Sequence, residues 1–237
     1  MIDKILTVVT INLNNKDGLE KTILSVISQT CFDKIHFVII DGGSTDGSKE
    51  IIKKYKNLFG YSTSRKDNGI FNAFNKGLSH LKGDYVLFLN SGDYLISETI
   101  IEDFLTLCDG STIVYGNLEL RKILKGYGSK LHEERILGEE VNTRLYPFTL
   151  DEAFFKMDAL PHQATFIKCD YMKSHPYSEK YKIIGDWIML REAIIDDRVS
   201  FQHIPITISS YGLDGISSKN GLLFVNEKTD YYKRKRQ

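Results

Sequence analysis

The sequence predicts an α/β fold: a doubly wound layer in which a mostly parallel sheet is flanked by helices. Two observations carry this. Apolar runs of buried-strand length, among them Ile5 to Ile11, Ile35 to Ile40 and Asp84 to Leu89, alternate with segments of helical periodicity. Two of these runs stop abruptly at small and acidic residues, Asp41-Gly42-Gly43-Ser44-Thr45-Asp46-Gly47 and Asn90-Ser91-Gly92-Asp93. In open parallel sheets ligands bind outside the carboxyl ends of the strands, so carboxylates placed there face a crevice rather than the core.

Each element can be justified in turn. Ile5 to Ile11 reads as a buried strand, and Asp17-Gly18-Leu19-Glu20 offers a capping-box start to a helix with Leu19, Ile23, Val26 and Ile27 on one face. Ile35 to Ile40 is the second strand, Ser48 to Phe59 a helix with Ile51, Ile52 and Tyr55 inward, and Tyr61 to Ser64 a short strand. Ile70, Phe71, Phe74, Leu78 and Leu81 recur at helical spacing, and that helix stops before Gly83. From Gly116 the rhythm breaks. Leu118 to Lys125 reads as one or two extended segments and Glu133 to Asp158 as irregular, so Arg121 to Leu160 is expected to be a variable insertion shaping a second substrate site. Gln163 to Lys168 returns as a strand, Asp186 to Ile195 as an amphipathic helix and Val199 to Ile204 as a last strand.

Composition narrows the function. A chain of 237 residues is long enough for one large domain with a full core. Its 31 basic residues balance 31 acidic ones, which argues against a nucleic-acid partner. Cys31, Cys108 and Cys169 are widely separated and in no metal-ligand spacing, as free thiols in a reducing compartment would be. The N-terminal segment reads as a strand rather than a signal peptide, and no apolar run approaches the roughly 18 residues that span a bilayer. A cytoplasmic protein is expected, at most peripheral on the inner face of the membrane. No G-x-G-x-x-G follows the first strand, which argues against a dehydrogenase, and Asn12-Leu13-Asn14-Asn15-Lys16-Asp17 stands where a sugar-phosphate nucleotidyltransferase would carry a Gly-rich, Arg-containing loop.

Four motifs in order, Thr7-Val8-Val9-Thr10-Ile11-Asn12, Ser25-Val26-Ile27-Ser28-Gln29-Thr30, Asp41 to Gly47 and Asn90 to Asp93, resemble the family 2 glycosyltransferases with the GT-A fold. The resemblance is firm over the first 110 residues and patchier from Pro161 to Ser218. It implies a nucleotide-sugar-binding half over residues 1–110, an acceptor-binding half over 111–220 and a basic tail over 221–237. It also implies an inverting transfer of a hexose or N-acetylhexosamine from a nucleotide sugar, UDP by default, to a lipid-diphosphate-linked saccharide in surface polysaccharide or O-antigen synthesis.

Site residues follow from the same resemblance. Thr10, Asn12, Asp41, Asp67, Asn75, Asn90 and Ser91 are expected around the nucleotide, with Asp41 accepting from the base N3–H; Asp41-Gly42-Gly43 is also good turn chemistry. Asn90-Ser91-Gly92-Asp93 stands in place of the family's DXD motif, which leaves Asp93 as the single carboxylate for Mn2+ or Mg2+. Gly185-Asp186 is a reduced form of an acid pair that opens a helix beneath the acceptor, which assigns Asp186 as general base or, equally, as helix cap. His162 and Trp187 are candidates for contact with acceptor or sugar, against structural roles for both. Tyr231-Tyr232-Lys233-Arg234-Lys235-Arg236 suits an anionic bilayer surface. A catalytically silent carbohydrate-binding protein of the same fold is the competing reading.

Overall fold

The computed structural model describes residues 5–127, 134–213 and 221–235. In chain order the elements are β1 (Leu6–Asn12), α1 (Lys16–Ile27), β2 (Ile35–Asp41), α2 (Ser48–Lys54), β3 (Tyr61–Ser64), α3 (Ile70–Leu78), β4 (Tyr85–Phe88), β5 (Tyr94–Leu95), α4 (Ile100–Leu107) and β6 (Ile113–Tyr127). Then come β7 (Glu134–Arg144), α5 (Glu152–Met157), β8 (Thr165–Lys168), α6 (Cys169–Ser174), α7 (Gly185–Arg191), β9 (Phe201–Gly212) and α8 (Gly221–Lys235).

One sheet runs β3-β2-β1-β4-β8-β6-β9-β5, with β7 added to β6. Its first four strands are parallel. That half explains the uninterrupted apolar runs: every residue of β1 and β2 is buried, as in a sheet with both faces covered. Beyond β4 the sheet is mixed, because β8 runs antiparallel to both β4 and β6 while β9 runs parallel to β6. The carboxyl ends of β1, β2 and β4 open on one side, as the acidic strand ends require.

Several boundaries differ from expectation for identifiable reasons. The cap of α1 is Asn15, whose Oδ1 accepts from Gly18 N at 3.2 Å, rather than Asp17. The expected insertion is a long antiparallel hairpin, β6 with β7; Ile136 and Leu137 are 74% and 71% exposed, so neither face carries the alternation that betrays a strand. β9 runs past the expected end at Ile204 to Gly212, because Pro205 falls where the β6 register shifts between Tyr115 and Asn117 and so leaves the ladder intact on either side. The helix begun at Gly185 passes into a π-helical turn over Glu192–Asp196. Over residues 221–235 the segment taken for a tail is a helix packed on the molecule, with Tyr231 edge-on to Trp187 at 5.3 Å and Tyr232 at 5.7 Å.

Candidate active site

The strand ends converge on a cleft of about 670 Å3. Among its walls are Asn12 of β1, Asp67 before α3, the whole Asn90 to Asp93 turn, Arg121 of β6, His162 and Gln163. Asn12, Asp67, Asn90, Ser91, Asp93 and His162 are thus brought together as the sequence anticipates, whereas Thr10, Asp41, Asn75, Asp186 and Trp187 lie outside this wall.

Asp41 is fully buried at the end of β2. Its Oδ1 accepts from Asn12 Nδ2 at 2.7 Å and Ser44 Oγ at 2.5 Å. Its Oδ2 accepts from Ser64 Oγ at 2.5 Å and from the Gly43 and Ser44 amides at 3.2 and 3.0 Å. Burial alone would push this carboxyl up, but the bonds from Ser44, Ser64 and Asn12 outweigh it and hold the group below its ordinary value. Its oxygens therefore organise the turn, and it is Asp67 that stands in the cleft wall, its Oδ1 accepting from Gly69 N at 3.1 Å. A Cβ on Gly42 would sit 2.5 Å from the Asp67 carboxylate, so the glycine admits that side chain. Thr10 is buried within β1 with no hydrogen-bond partner for Oγ1. Asn75 buckles α3 to the segment before α7: Nδ2 donates to Tyr177 O at 2.9 Å, and Oδ1 accepts from Tyr177 N at 2.9 Å.

The Asn90 to Asp93 turn is clamped by Thr22 of α1, a residue without a sequence signal. Its hydroxyl donates to Asp93 O at 2.6 Å and accepts from Gly92 N at 3.0 Å. The Asp93 side chain is only 5% exposed. Burial pushes its carboxyl up to about 7, against the nearby His162 ring and Arg121 guanidinium and hydrogen bonds from the Gln163 side chain and the Gly212 amide. Arg121, also missed in sequence because it lay in the presumed insertion, donates from Nη2 to Gly92 O at 3.0 Å, from Nε to Ser210 Oγ at 2.6 Å and from Nη1 to Glu139 at 2.8 Å. A cation so held lines the cleft next to Asp93.

Asp186 is the second residue of α7 and not its cap, as the helix already begins at Gly185 with Ile184 at the cap position and no side-chain cap bond. Oδ1 accepts from Trp187 N at 2.8 Å, and Oδ2 lies 2.8 Å from His162 Nδ1. The other ring nitrogen, Nε2, is 3.0 Å from Asn90 Nδ2. The two reduced motifs are thus joined through one imidazole. Gly185 is explained by packing: a Cβ there would lie 2.7 Å from the Phe71 ring, so an acid at this position would drive α7 off α3. Trp187 is 1% exposed, donates to Phe155 O and Asp158 O at 3.0 Å each, and is covered by Tyr231 and Tyr232; it is a core residue and has no face for a sugar.

Comparison with known proteins adds the decisive observation: the glycosyl transferase family 2 profile matches residues 7–170. The chain belongs to glycosyl transferase family 2. An uncharacterized glycosyltransferase of Mycobacterium tuberculosis is 27% identical over 209 residues, 87% of this chain and 76% of that protein. A PGL/p-HBAD biosynthesis glycosyltransferase of Mycobacterium bovis is 25% identical over 198 residues, 79% and 68% of the two chains. Among solved structures, S. aureus TarS 1–349 in complex with UDP-GlcNAc superposes with a TM-score of 0.66 at 15% identity, covering 88% of this chain and 58% of that one. This likeness shows the GT-A fold, and the chain spans less than two thirds of that solved chain. Family membership sets aside the nucleotidyltransferase reading.

Family 2 enzymes commonly use a divalent ion, and the donors here fit one only in part. No cluster of three His, Cys, Asp or Glu side chains exists among the described residues. Asp93 is a hard oxygen donor facing the cleft, and an ion of the Mg2+ type held by one carboxylate with substrate phosphates and water is an ordinary arrangement.

Proposed function

We propose that this family 2 enzyme transfers a hexose or N-acetylhexosamine from a nucleotide sugar, with UDP as nucleotide, to a lipid-linked saccharide, inverting the anomeric centre. The observation that carries the reading is the bridge from Asn90 through His162 to Asp186, which ties the diphosphate side of the cleft to a carboxylate on α7. The acceptor hydroxyl forms the new bond to the anomeric carbon as the bond to the diphosphate oxygen breaks, and its proton passes to Asp186. Asp93 would hold Mn2+ or Mg2+, which when bound neutralises charge on the departing diphosphate. Arg121 adds a fixed positive charge on the same side, and Asn12 and Asp67 face the nucleoside end.

The M. bovis relative is named for PGL/p-HBAD biosynthesis, and a lipid-linked acceptor is the reading adopted for this chain. Among the described residues no helix is long and apolar enough to cross a membrane. Among the described residues, Lys233 at the end of α8 is the exposed cation of this motif available to an anionic inner-membrane surface, since Arg234 and Lys235 are paired with Asp230 and Asp196; Arg236 lies outside the described residues.

The test follows UDP release with Mn2+ across UDP, GDP, dTDP and CMP sugars, with a short-chain polyprenyl-diphosphate-linked N-acetylglucosamine as probe acceptor. Asp186→Asn keeps the size and the Oδ1 that accepts from Trp187 N, so transfer should fall at least about a hundredfold while donor affinity and Tm change little. Near-normal turnover by this variant would refute Asp186 as base, and no turnover of any donor by the wild type would favour the silent carbohydrate-binding reading.

A further inference from the structure

His162 stands between an amide and a carboxylate, and the two neighbours make the same demand on its protons. As a carboxylate, Asp186 only accepts, so Nδ1, 2.8 Å from its Oδ2, must carry hydrogen. In the neutral ring Nε2 is then an acceptor, and the group 3.0 Å away is the Asn90 amide nitrogen, a donor. Turning the amide over would set its oxygen against the Nε2 lone pair unless the ring gained a second proton. The ring is 9% exposed, with Phe74 packed against it at 5.5 Å, so its place between the two groups is fixed by packing.

The departure of position 90 from the acidic pattern has a reason in this geometry. An aspartate there could not donate; it would require hydrogen on Nε2 as well, leaving an imidazolium between two carboxylates. A cation held against Asp186 favours its ionised form and weakens it as a proton acceptor, whereas a neutral N–H orients it without that effect. Building on the reading of Asp186 as base, we infer that Asn90 and His162 are positioning residues: Asn90 holds His162 in the Nδ1–H tautomer, and His162 orients the Asp186 carboxylate for the acceptor hydroxyl.

The experiment is a long-range 1H–15N correlation on the full 15N-labelled chain at neutral pH, which reads the imidazole nitrogens directly and needs no variant to fold. His162 should show a protonated Nδ1 and a bare Nε2. In Asn90→Asp both nitrogens should be protonated, and kcat with UDP-GlcNAc should fall at least about tenfold while KM stays within about twofold. His162→Ala should lose kcat similarly, and His162→Asn, whose amide restores a donor near the Nδ1 position, should recover much of it. A wild-type ring protonated at Nε2 alone, or unchanged kcat in Asn90→Asp, overturns the inference. If Asp186→Asn keeps full turnover, the base assignment fails whatever the tautomer; if that variant is inactive and the tautomer is wrong, only the positioning role fails.

Discussion

The ends of β2 and β4 carry carboxylates that look alike in sequence and differ in state. Asp41 is buried and surrounded by donors from Asn12, Gly43, Ser44 and Ser64, and its carboxyl is held below the ordinary range. Asp93 is nearly as buried, yet burial wins over the His162 and Arg121 side chains nearby and the hydrogen bonds from Gln163 and Gly212, and its carboxyl rises to about 7. The first carboxylate is part of the scaffold. The second is under-satisfied by the protein, which is the condition of a group that is completed by a ligand. A charge that is costly in the free protein and neutralised on binding is a recognisable mark of a site.

The largest effect that sharpens this contrast is at Asp93. Asp93→Asn should reduce transfer by about 10²–10³-fold through loss of charge stabilisation at the diphosphate. The same variant should also change the pH dependence of stability in chelator-treated protein. A carboxyl raised in the fold binds its proton more tightly there than in the unfolded chain. Its contribution is present below the unfolded value and is lost as pH rises through the folded one. Between an ordinary 3.8 and about 7 the wild type should therefore lose on the order of 4 kcal/mol that Asp93→Asn does not lose, measured by urea unfolding across that range. Parallel stability curves for the two proteins would break the comparison.

Asp41 should behave in the opposite sense. Its lowered carboxyl contributes stability above the unfolded value, lost as pH falls through the folded one. Asp41→Asn should cost about 2–3 kcal/mol at neutral pH, the scale of hydrogen bonds to a charged group. Urea midpoints at pH 7 and pH 3 measure this, and the deficit should shrink at the lower pH. The smallest effect is that of Ser64→Ala, which removes the 2.5 Å donor to Oδ2 while leaving the others and should cost about 1 kcal/mol. A Ser64→Ala variant as damaging as Asp41→Asn would mean that β3 packing, not the carboxylate, holds this end of the sheet.

Sequence made the parallel half of the fold legible because its strands are buried on both faces and bounded by turn residues, so β1, β2, β3 and β4 appear nearly where expected. The β6 and β7 hairpin was hidden by its exposure, and α8 by a charged, aromatic composition that resembles a free terminus. In fact Lys228 of that helix is buried, donates to Phe155 O at 2.7 Å, and is pushed down from the ordinary lysine range by burial, partly offset by Asp158.

By itself the sequence determined the family, the sheet that builds the cleft, and the strand-end and helix-start positions at which chemistry can occur, since these follow from local periodicity and short motifs. Only the tertiary structure decided which polar side chain at those positions faces the cleft and which is used internally. It turned Asp41, Asn75 and Trp187 inward, placed Arg121 and Thr22 beside Asp93, and set His162 between Asn90 and Asp186. The physical reason is that a hydrogen bond or a burial cost depends on partners far away in the chain. Asn90 and His162 are 72 residues apart, and no local pattern records that they meet.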